Sequence, residues 1–174
     1  MLGNGNAIYT GGFFNELKYK GISLSILFDY NFGNNIYRNY DVTRNNSANS
    51  VFTPDPKRID NAWVRQGDVA GYPSLEAARV QNRIGVESNY VGDGDYIKLR
   101  NIRVNYILPK SILNRAKWVN AVSINASVNN LLTWTNYIGY NPELGTRGNP
   151  LQPGFDNLRY PNKTDFIIGL RAQF

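Results

Sequence analysis

The chain has 174 residues, of which 42% are hydrophobic and 13% aromatic, with a formal charge of +6 and neither cysteine nor histidine. These counts exclude disulfides, thiolate metal sites and any catalysis or zinc binding that depends on histidine. The sequence contains no run of 18 apolar residues, so no transmembrane helix is predicted. The positive charge is dispersed along the chain, so we expect no nucleic-acid partner.

Five segments alternate apolar and polar side chains, which is the period-two pattern of a strand with one apolar face. The first segment, 12–20, is the weakest and is joined to the second, 22–32, through a tight turn at Gly21. In the second segment the even-numbered residues are apolar and the odd-numbered ones polar, with Leu27 as the exception. The two segments are predicted to form a hairpin.

The third segment, 95–108, changes phase at Arg100–Asn101. A β-bulge has this effect, and so does a strand that passes from one environment into another. In the fourth segment, 119–131, the alternation runs from Val122 to Asn129, and the fifth segment, 163–174, shows the same pattern.

Strand length separates two interpretations of these segments. Strands of soluble proteins average about 5–6 residues, whereas these segments run over about 9–14 residues. Eleven residues at about 3.3 Å each, tilted by about 40°, span roughly 28 Å, close to the apolar band of about 25 Å on an outer-membrane barrel. Aromatic residues at strand ends fit the girdles of such a barrel: Tyr30, Phe32, Tyr106, Trp118 and Phe174. A soluble β-sandwich with half-exposed sheets remains the alternative.

The connections alternate between short and long. The turn at Gly21 and the link 109–118 are short, whereas the predicted loops 33–94 and 132–162 are long. A barrel with turns on its periplasmic side and loops on its extracellular side requires this alternation. Within the longer loop, a short helix is predicted to begin at Ser74.

Several stretches are distinctive and occur in a fixed order. They are YTGGFFNELKYKGISLSILFDYNFGNNIYR, WVRQGDVAGYPSL, GDGDYIKLRNIRVNYILPKSIL, NNLLTWTNYIGYNPEL and the terminal IIGLRAQF. Together they resemble the end of the barrel in SusC/RagA-type TonB-linked outer-membrane transporters, over nearly the whole chain. Two departures are small: the family usually has Arg before the tryptophan where this chain has Ala62, and Asp where it has Asn141.

The resemblance implies an all-β fold in which residues 1–174 are the C-terminal part of a transmembrane barrel of 22 strands, located in the outer membrane of a Gram-negative bacterium. It implies import of glycans or peptides together with a SusD-like lipoprotein, driven by the TonB complex through an N-terminal part that lies upstream with the plug. The segment alone is not expected to transport, because five strands cannot close a barrel. Neither enzymatic activity nor a cofactor is expected.

The resemblance also implies site residues. The alternating residues of the last strand form a predicted signal for the outer-membrane assembly machinery: Phe166, Ile168, Leu170, Ala172 and Phe174. Four aromatic residues, taken to lie in loops, are candidates for contact with substrate or with the lipoprotein lid: Trp63, Trp134, Tyr137 and Tyr140. The alternative is that they pack the loops together.

Asp68, Asp93 and Asp95 suggest a calcium site only weakly, because Asp–Gly sequences more often form turns. No catalytic, metal or cofactor site is predicted. A soluble all-β carbohydrate-binding or adhesin module is the alternative function.

Overall fold

The computed structural model describes residues 3–46, 56–74, 76–77, 88–113, 118–143, 153–158 and 160–174. Within these ranges the chain forms two compact units. The strand unit contains residues 8–32, 95–136 and 161–174, and the loop unit contains the described residues up to 7, 33–94 and 137–160. Among the described helices, none has both the length and the apolar character needed to cross a membrane.

The strand unit is a single five-stranded sheet in which every neighbouring pair is antiparallel. The strands of the described chain are β1 (Tyr9–Tyr19), β2 (Ile22–Phe32), β3 (Asn35–Arg38), β4 (Val91–Asp93), β5 (Tyr96–Ile107), β6 (Ala121–Thr135), β7 (Phe155–Asp156) and β8 (Asp165–Gln173). The large sheet has the order β1-β2-β5-β6-β8. The predicted antiparallel, mostly β fold is confirmed.

The long strands differ from the predicted segments mainly at their ends. β2 coincides with the segment 22–32, whereas β1 begins three residues before position 12. β6 runs four residues past position 131, because Leu132 to Thr135 pair with Leu99 to Tyr96 of β5. The predicted loop 132–162 is wrong in these four residues, which continue the sheet.

A two-residue turn closes the β1–β2 hairpin. Lys20 and Gly21 adopt positive φ values of 44° and 85°, which matches the handedness that a two-residue hairpin turn requires. Gly21 also accepts a backbone hydrogen bond of 2.8 Å from the amide of Ile107. A Cβ on Gly21 would lie 2.9 Å from the Ile107 carbonyl oxygen, so both φ and this close approach favour glycine.

A coupled bulge runs across β2, β5 and β6 at the predicted phase change. The same two rows of paired residues are separated by two positions in β2 (Ile26 and Phe28), by three in β5 (Leu99 and Ile102) and by four in β6 (Val128 and Leu132). From β2 to β5, and again from β5 to β6, the strand therefore gains one residue between these two rows. The extra residue in β5 returns the apolar residues on both sides of Arg100 to one face, so the bulge interpretation is confirmed.

The loop unit is built around a small three-stranded sheet in the order β4-β3-β7. β3 pairs antiparallel with β4 and parallel with β7. Ile36 and Tyr37 of β3 are buried, as are Tyr90, Tyr137 and Asp156 from the segments around it. Hydrophobic and aromatic burial around this four-residue strand gives the loop unit its own core.

The region predicted as the long loop 33–94 therefore has structure of its own. Besides β3 and β4 it contains the helices Asn39–Asn46 and Pro56–Asp60 and the 3₁₀ turn Ser88–Tyr90. The helix predicted to begin at Ser74 lies largely outside the described residues. Of that segment, the amide of Ala77 donates a hydrogen bond of 3.1 Å to the Ser74 hydroxyl.

Candidate functional site

One face of the large sheet is apolar across all five strands. A single row of paired residues shows this, since it crosses the sheet through Leu17, Leu24, Val104, Ala126 and Ile168. Three of these side chains are strongly exposed, with Leu17 at 60%, Val104 at 40% and Ile168 at 83%. An exposed apolar surface of this extent marks a face that contacts lipid or another apolar surface.

The opposite face is polar. The row next to the apolar one crosses the sheet through Glu16, Ser25, Arg103, Ser127 and Ile167, so Ile167 is its single aliphatic member. The neighbouring rows add serine and asparagine side chains from β2, β5 and β6, together with the apolar side chains of Phe14 and Leu27. The two faces therefore require different surroundings, one apolar and one hydrated or hydrogen-bonded.

Arg100 connects three strands at the bulge. Its guanidinium donates to the Asp29 carboxylate on β2 and, at 3.4 Å, to the Asn130 side-chain oxygen on β6. Beside it, the side-chain amide of Asn101 donates to Asn129 at 2.7 Å. Lys98 lies opposite Asp29 in the ladder and is buried. These contacts hold in place the part of the sheet where the backbone ladder is irregular.

The last strand places all the predicted assembly-signal residues on the apolar face. Phe166, Ile168, Leu170 and Ala172 are each opposite an apolar residue of β6. Phe174 lies one residue beyond β8, and its ring stacks on that of Trp118, with 5.5 Å between centroids and 5° between planes.

The four aromatic residues predicted to contact substrate or lid do not share one environment. Trp63 is 42% exposed, and Tyr140 is 62% exposed with its ring tilted against Tyr40 at 6.2 Å. Both belong to the loop unit. Their accessibility leaves each of them free to meet a ligand or partner.

Trp134 is not in a loop, which corrects its predicted position. It lies in β6 and pairs with Ile97 on the apolar face, with its ring 6.4 Å from that of Phe28. β6 includes it because the bulge lengthens that strand beyond the segment that regular alternation delimits. Trp134 is therefore a member of the apolar face.

Tyr137 is buried, with 6% exposure, and packs inside the loop unit. Its hydroxyl donates a hydrogen bond of 2.6 Å to Asp156, whose other carboxylate oxygen accepts from the Leu158 amide at 2.9 Å. Burial raises the pKa of Tyr137 far above the ordinary value for tyrosine, and the hydrogen bond to Asp156 raises it further. Burial also raises the pKa of Tyr40 to about 12, with Asp41 adding to the shift. This arrangement favours packing for Tyr137.

Alkaline pH should loosen the loop unit. Because the pKa values of Tyr40 and Tyr137 are raised above 10.0 in the folded state, the stability that both groups contribute is complete below pH 10 and is lost as pH rises through about 12 and beyond. Tyrosinate absorbance of the purified protein should show late-titrating tyrosines, and a Tyr137→Phe variant should lose part of that late signal. Titration of all tyrosines in one step near pH 10, with or without Tyr137, would contradict the burial of these two hydroxyls.

Of the acidic residues considered for calcium, Asp68 acts as a turn residue and Asp93 lies in strand β4, paired with Asn35. One Asp68 carboxylate oxygen accepts from the amides of Val64 and Arg65, at 3.1 and 2.9 Å. Within the described part of the chain, no three His, Cys, Asp or Glu side chains are grouped so that they could hold a metal ion.

Two curated proteins align with the entire chain. TonB-dependent receptor P39 of Formosa agariphila is 53% identical over 174 residues, which are 100% of this chain and 17% of that protein. TonB-dependent receptor P3 of the same organism is 32% identical over 181 residues, again with 100% of this chain and 17% of the relative. The chain belongs to the TonB-dependent receptors. It spans about a sixth of the length of these relatives.

Solved structures of a peptide importer contain the same fold. The RagAB peptide importer in its open-open state matches 95% of this chain with a TM-score of 0.75 and 25% identity, over 17% of the matched chain. The closed-closed state gives a TM-score of 0.72 at 24% identity, which speaks for the fold alone. No protein-family model matches the chain.

The family assignment rests on sequence identity to both curated receptors over the whole chain. The antiparallel sheet and the match to RagAB agree with this family assignment.

Sequence reasoning missed three contacts of this TonB-dependent receptor segment. The ion pair between Arg100 and Asp29 was not predicted, because the sequence showed only a break in the alternation at Arg100. The Trp118–Phe174 stack depends on where β6 begins relative to the end of β8, and the Tyr137–Asp156 bond joins two short segments. Only the excess of aromatic residues at strand ends pointed toward the stack.

Proposed function

We propose that this chain is the C-terminal strand segment of a SusC/RagA-type receptor, forming part of a transmembrane β-barrel in the outer membrane. The apolar face that is continuous over five long strands supports this most strongly. Many of its side chains are exposed, and the opposite face is rich in serine, asparagine and charged residues. Lipid against one face and a hydrated or protein-filled lumen against the other account for both faces.

The receptor that contains this segment is proposed to import glycans or peptides together with a SusD-like surface lipoprotein. The likeness to the RagAB peptide importer supports a two-component system. Energy would come from the TonB complex through the N-terminal part of the receptor, where the plug belongs. The described strands have β1 and β8 at the two edges of the sheet, so transport requires the other strands that pair with those edges.

Contact with substrate or with the lipoprotein is best supported for Trp63 and Tyr140. Trp63 lies in a braced turn, because its amide donates to the Tyr72 carbonyl at 2.9 Å and Asp68 caps the residues that follow. An exposed ring on a backbone that is already held in place costs less conformational entropy when it is covered. Trp134 on the apolar face and the buried Tyr137 fit this role less well.

The alternating residues of β8 are proposed to form the signal that the outer-membrane assembly machinery recognises. Phe166, Ile168, Leu170 and Phe174 are all more than 70% exposed on one face of the edge strand. An edge strand still has backbone groups for pairing with another strand. A docking protein could therefore read both the backbone edge and the apolar side chains.

Expression of residues 1–174 alone tests the membrane assignment. We expect the segment in the detergent-extractable membrane fraction or in inclusion bodies, because its apolar face has no partner in the described chain. A monodisperse monomer in buffer without detergent would contradict the proposal and favour the soluble carbohydrate-binding or adhesin module. Light scattering and circular dichroism of the same sample separate a folded monomer from soluble aggregates.

A further inference from the structure

The terminal ring of the last strand is held by a residue outside that strand. We propose that Trp118 is a positioning residue for outer-membrane assembly: its indole fixes the ring of Phe174 on the apolar face, so that the last strand is presented to the assembly machinery with its final side chain in place. This inference rests on the proposed assembly signal and extends it to the start of β6. It assigns a specific task to a tryptophan that precedes the strand.

The stack is geometrically well defined. The two ring centroids are 5.5 Å apart and the planes are within 5° of parallel. That separation falls in the range of offset-stacked aromatic pairs. Trp118 is 70% exposed and Phe174 is 72% exposed, so each ring keeps most of its surface available for a further contact while the other fixes its orientation.

The backbone around the stack explains why Phe174 needs support. The β6–β8 ladder ends at the pair Ala121–Gln173, and the amide of Asn120 adds one bond of 2.7 Å to the Gln173 carbonyl oxygen. Phe174 follows that final bond, so it lies past the end of the ladder. A residue past the last backbone bond of a ladder frays unless its side chain is packed. Trp118, two residues before Asn120, supplies that packing.

The alternative is that Trp118 serves only as one of the interfacial aromatic residues that anchor a barrel in the lipid headgroup region. Tyr19 is suited to serve as the comparison. It lies at the same end of the sheet, at the β1–β2 turn, and is 69% exposed. Its described ring contact is with the Lys20 ammonium at 5.2 Å. A purely interfacial role should make the two residues respond alike to substitution.

The test compares Trp118→Ala, Trp118→Phe, Phe174→Ala, Tyr19→Ala and the double variant Trp118→Ala/Phe174→Ala in the full-length receptor. The fraction inserted in the outer membrane of cells is measured beside spontaneous refolding of the same proteins into phospholipid vesicles without the assembly machinery. We expect Trp118→Ala to lower insertion in cells by roughly two- to tenfold, the range that one aromatic stack gives an equilibrium. Trp118→Phe should retain most of the insertion, because a ring remains.

Coupling decides between positioning and independent roles. If Trp118 acts through Phe174, the double variant inserts no less than Phe174→Ala alone. In vesicles, both variants should then refold to the same extent as the unchanged receptor. Multiplying effects, an equal loss in vesicles, or a matching loss in Tyr19→Ala would overturn the inference. Unchanged insertion of Trp118→Ala beside a loss in Phe174→Ala would also overturn it and leave the assembly signal intact. Unchanged insertion of Phe174→Ala would reject the signal itself.

Discussion

Replacing Ile168 with arginine should destabilise the full-length receptor by about 2–4 kcal/mol, the cost of a cationic side chain on the lipid face near the bilayer midplane. Ile168 is near the middle of β8, is 83% exposed and occupies the apolar row of the sheet. If that face meets lipid, the guanidinium must leave water for hydrocarbon. The free energy of unfolding in phospholipid vesicles, measured by denaturant titration, gives this cost directly.

Ile167 offers a matched control because it is the preceding residue and has the same side chain. It is paired with Ser127 on the polar face, where an arginine would join Arg103 and Glu16 in a hydrated row. Ile167→Arg should therefore change the free energy of unfolding by about 1 kcal/mol or less. Equal costs for the two variants, or a larger cost for Ile167→Arg, would mean that the apolar face does not meet lipid.

Substituting Arg100 with methionine should cost about 1–3 kcal/mol, because it leaves the Asp29 carboxylate without its guanidinium partner. Methionine keeps much of the stem of the arginine side chain and removes the charge. The expected cost is below that of a fully buried pair, since the two side chains are 30% and 25% exposed. Lys98, opposite Asp29, moderates the loss further.

Arg103→Met is the control for the loss of a positive charge from the same strand, since Arg103 is exposed and sits among serines. It should change the free energy of unfolding by about 0.5 kcal/mol or less. Adding Asp29→Asn to Arg100→Met should recover part of the stability, because the orphaned charge is removed. If the two single arginine variants are equally stable, Arg100 does not brace the bulge.

The period-two pattern predicted the large sheet well because its strands are long and have one apolar face. β2 was placed to the residue, since its even positions from Ile22 to Phe32 are apolar without interruption. The pattern fails in short elements. β3 has four residues and β7 has two, which is too few for any period to be recognised, and β7 joins β3 by parallel pairing from more than a hundred positions away.

The sequence predicted which residues of the candidate site share one face of a strand. It did not predict the residues whose environment depends on a tertiary contact. Alternation alone put Phe166 to Phe174 on one side of the last strand. Exposure of the loop aromatics depends on tertiary packing, so Trp63 and the buried Tyr137 looked equivalent in sequence. Trp134 was misplaced because the extra residue in β6 hides the continuation of the strand past Asn130, whose φ of 53° interrupts the regular ladder.

Because of the stepwise bulge, β2, β5 and β6 can be exchanged between related receptors only together. Since β5 has one residue more than β2 between the same two rows, and β6 one more again, none of the three can be exchanged with a strand of uniform length from a relative without misaligning one end. Recombination between receptors would thus preserve β2, β5 and β6 as a block, while β1 and β8, which pair in unbroken register, can be replaced one at a time.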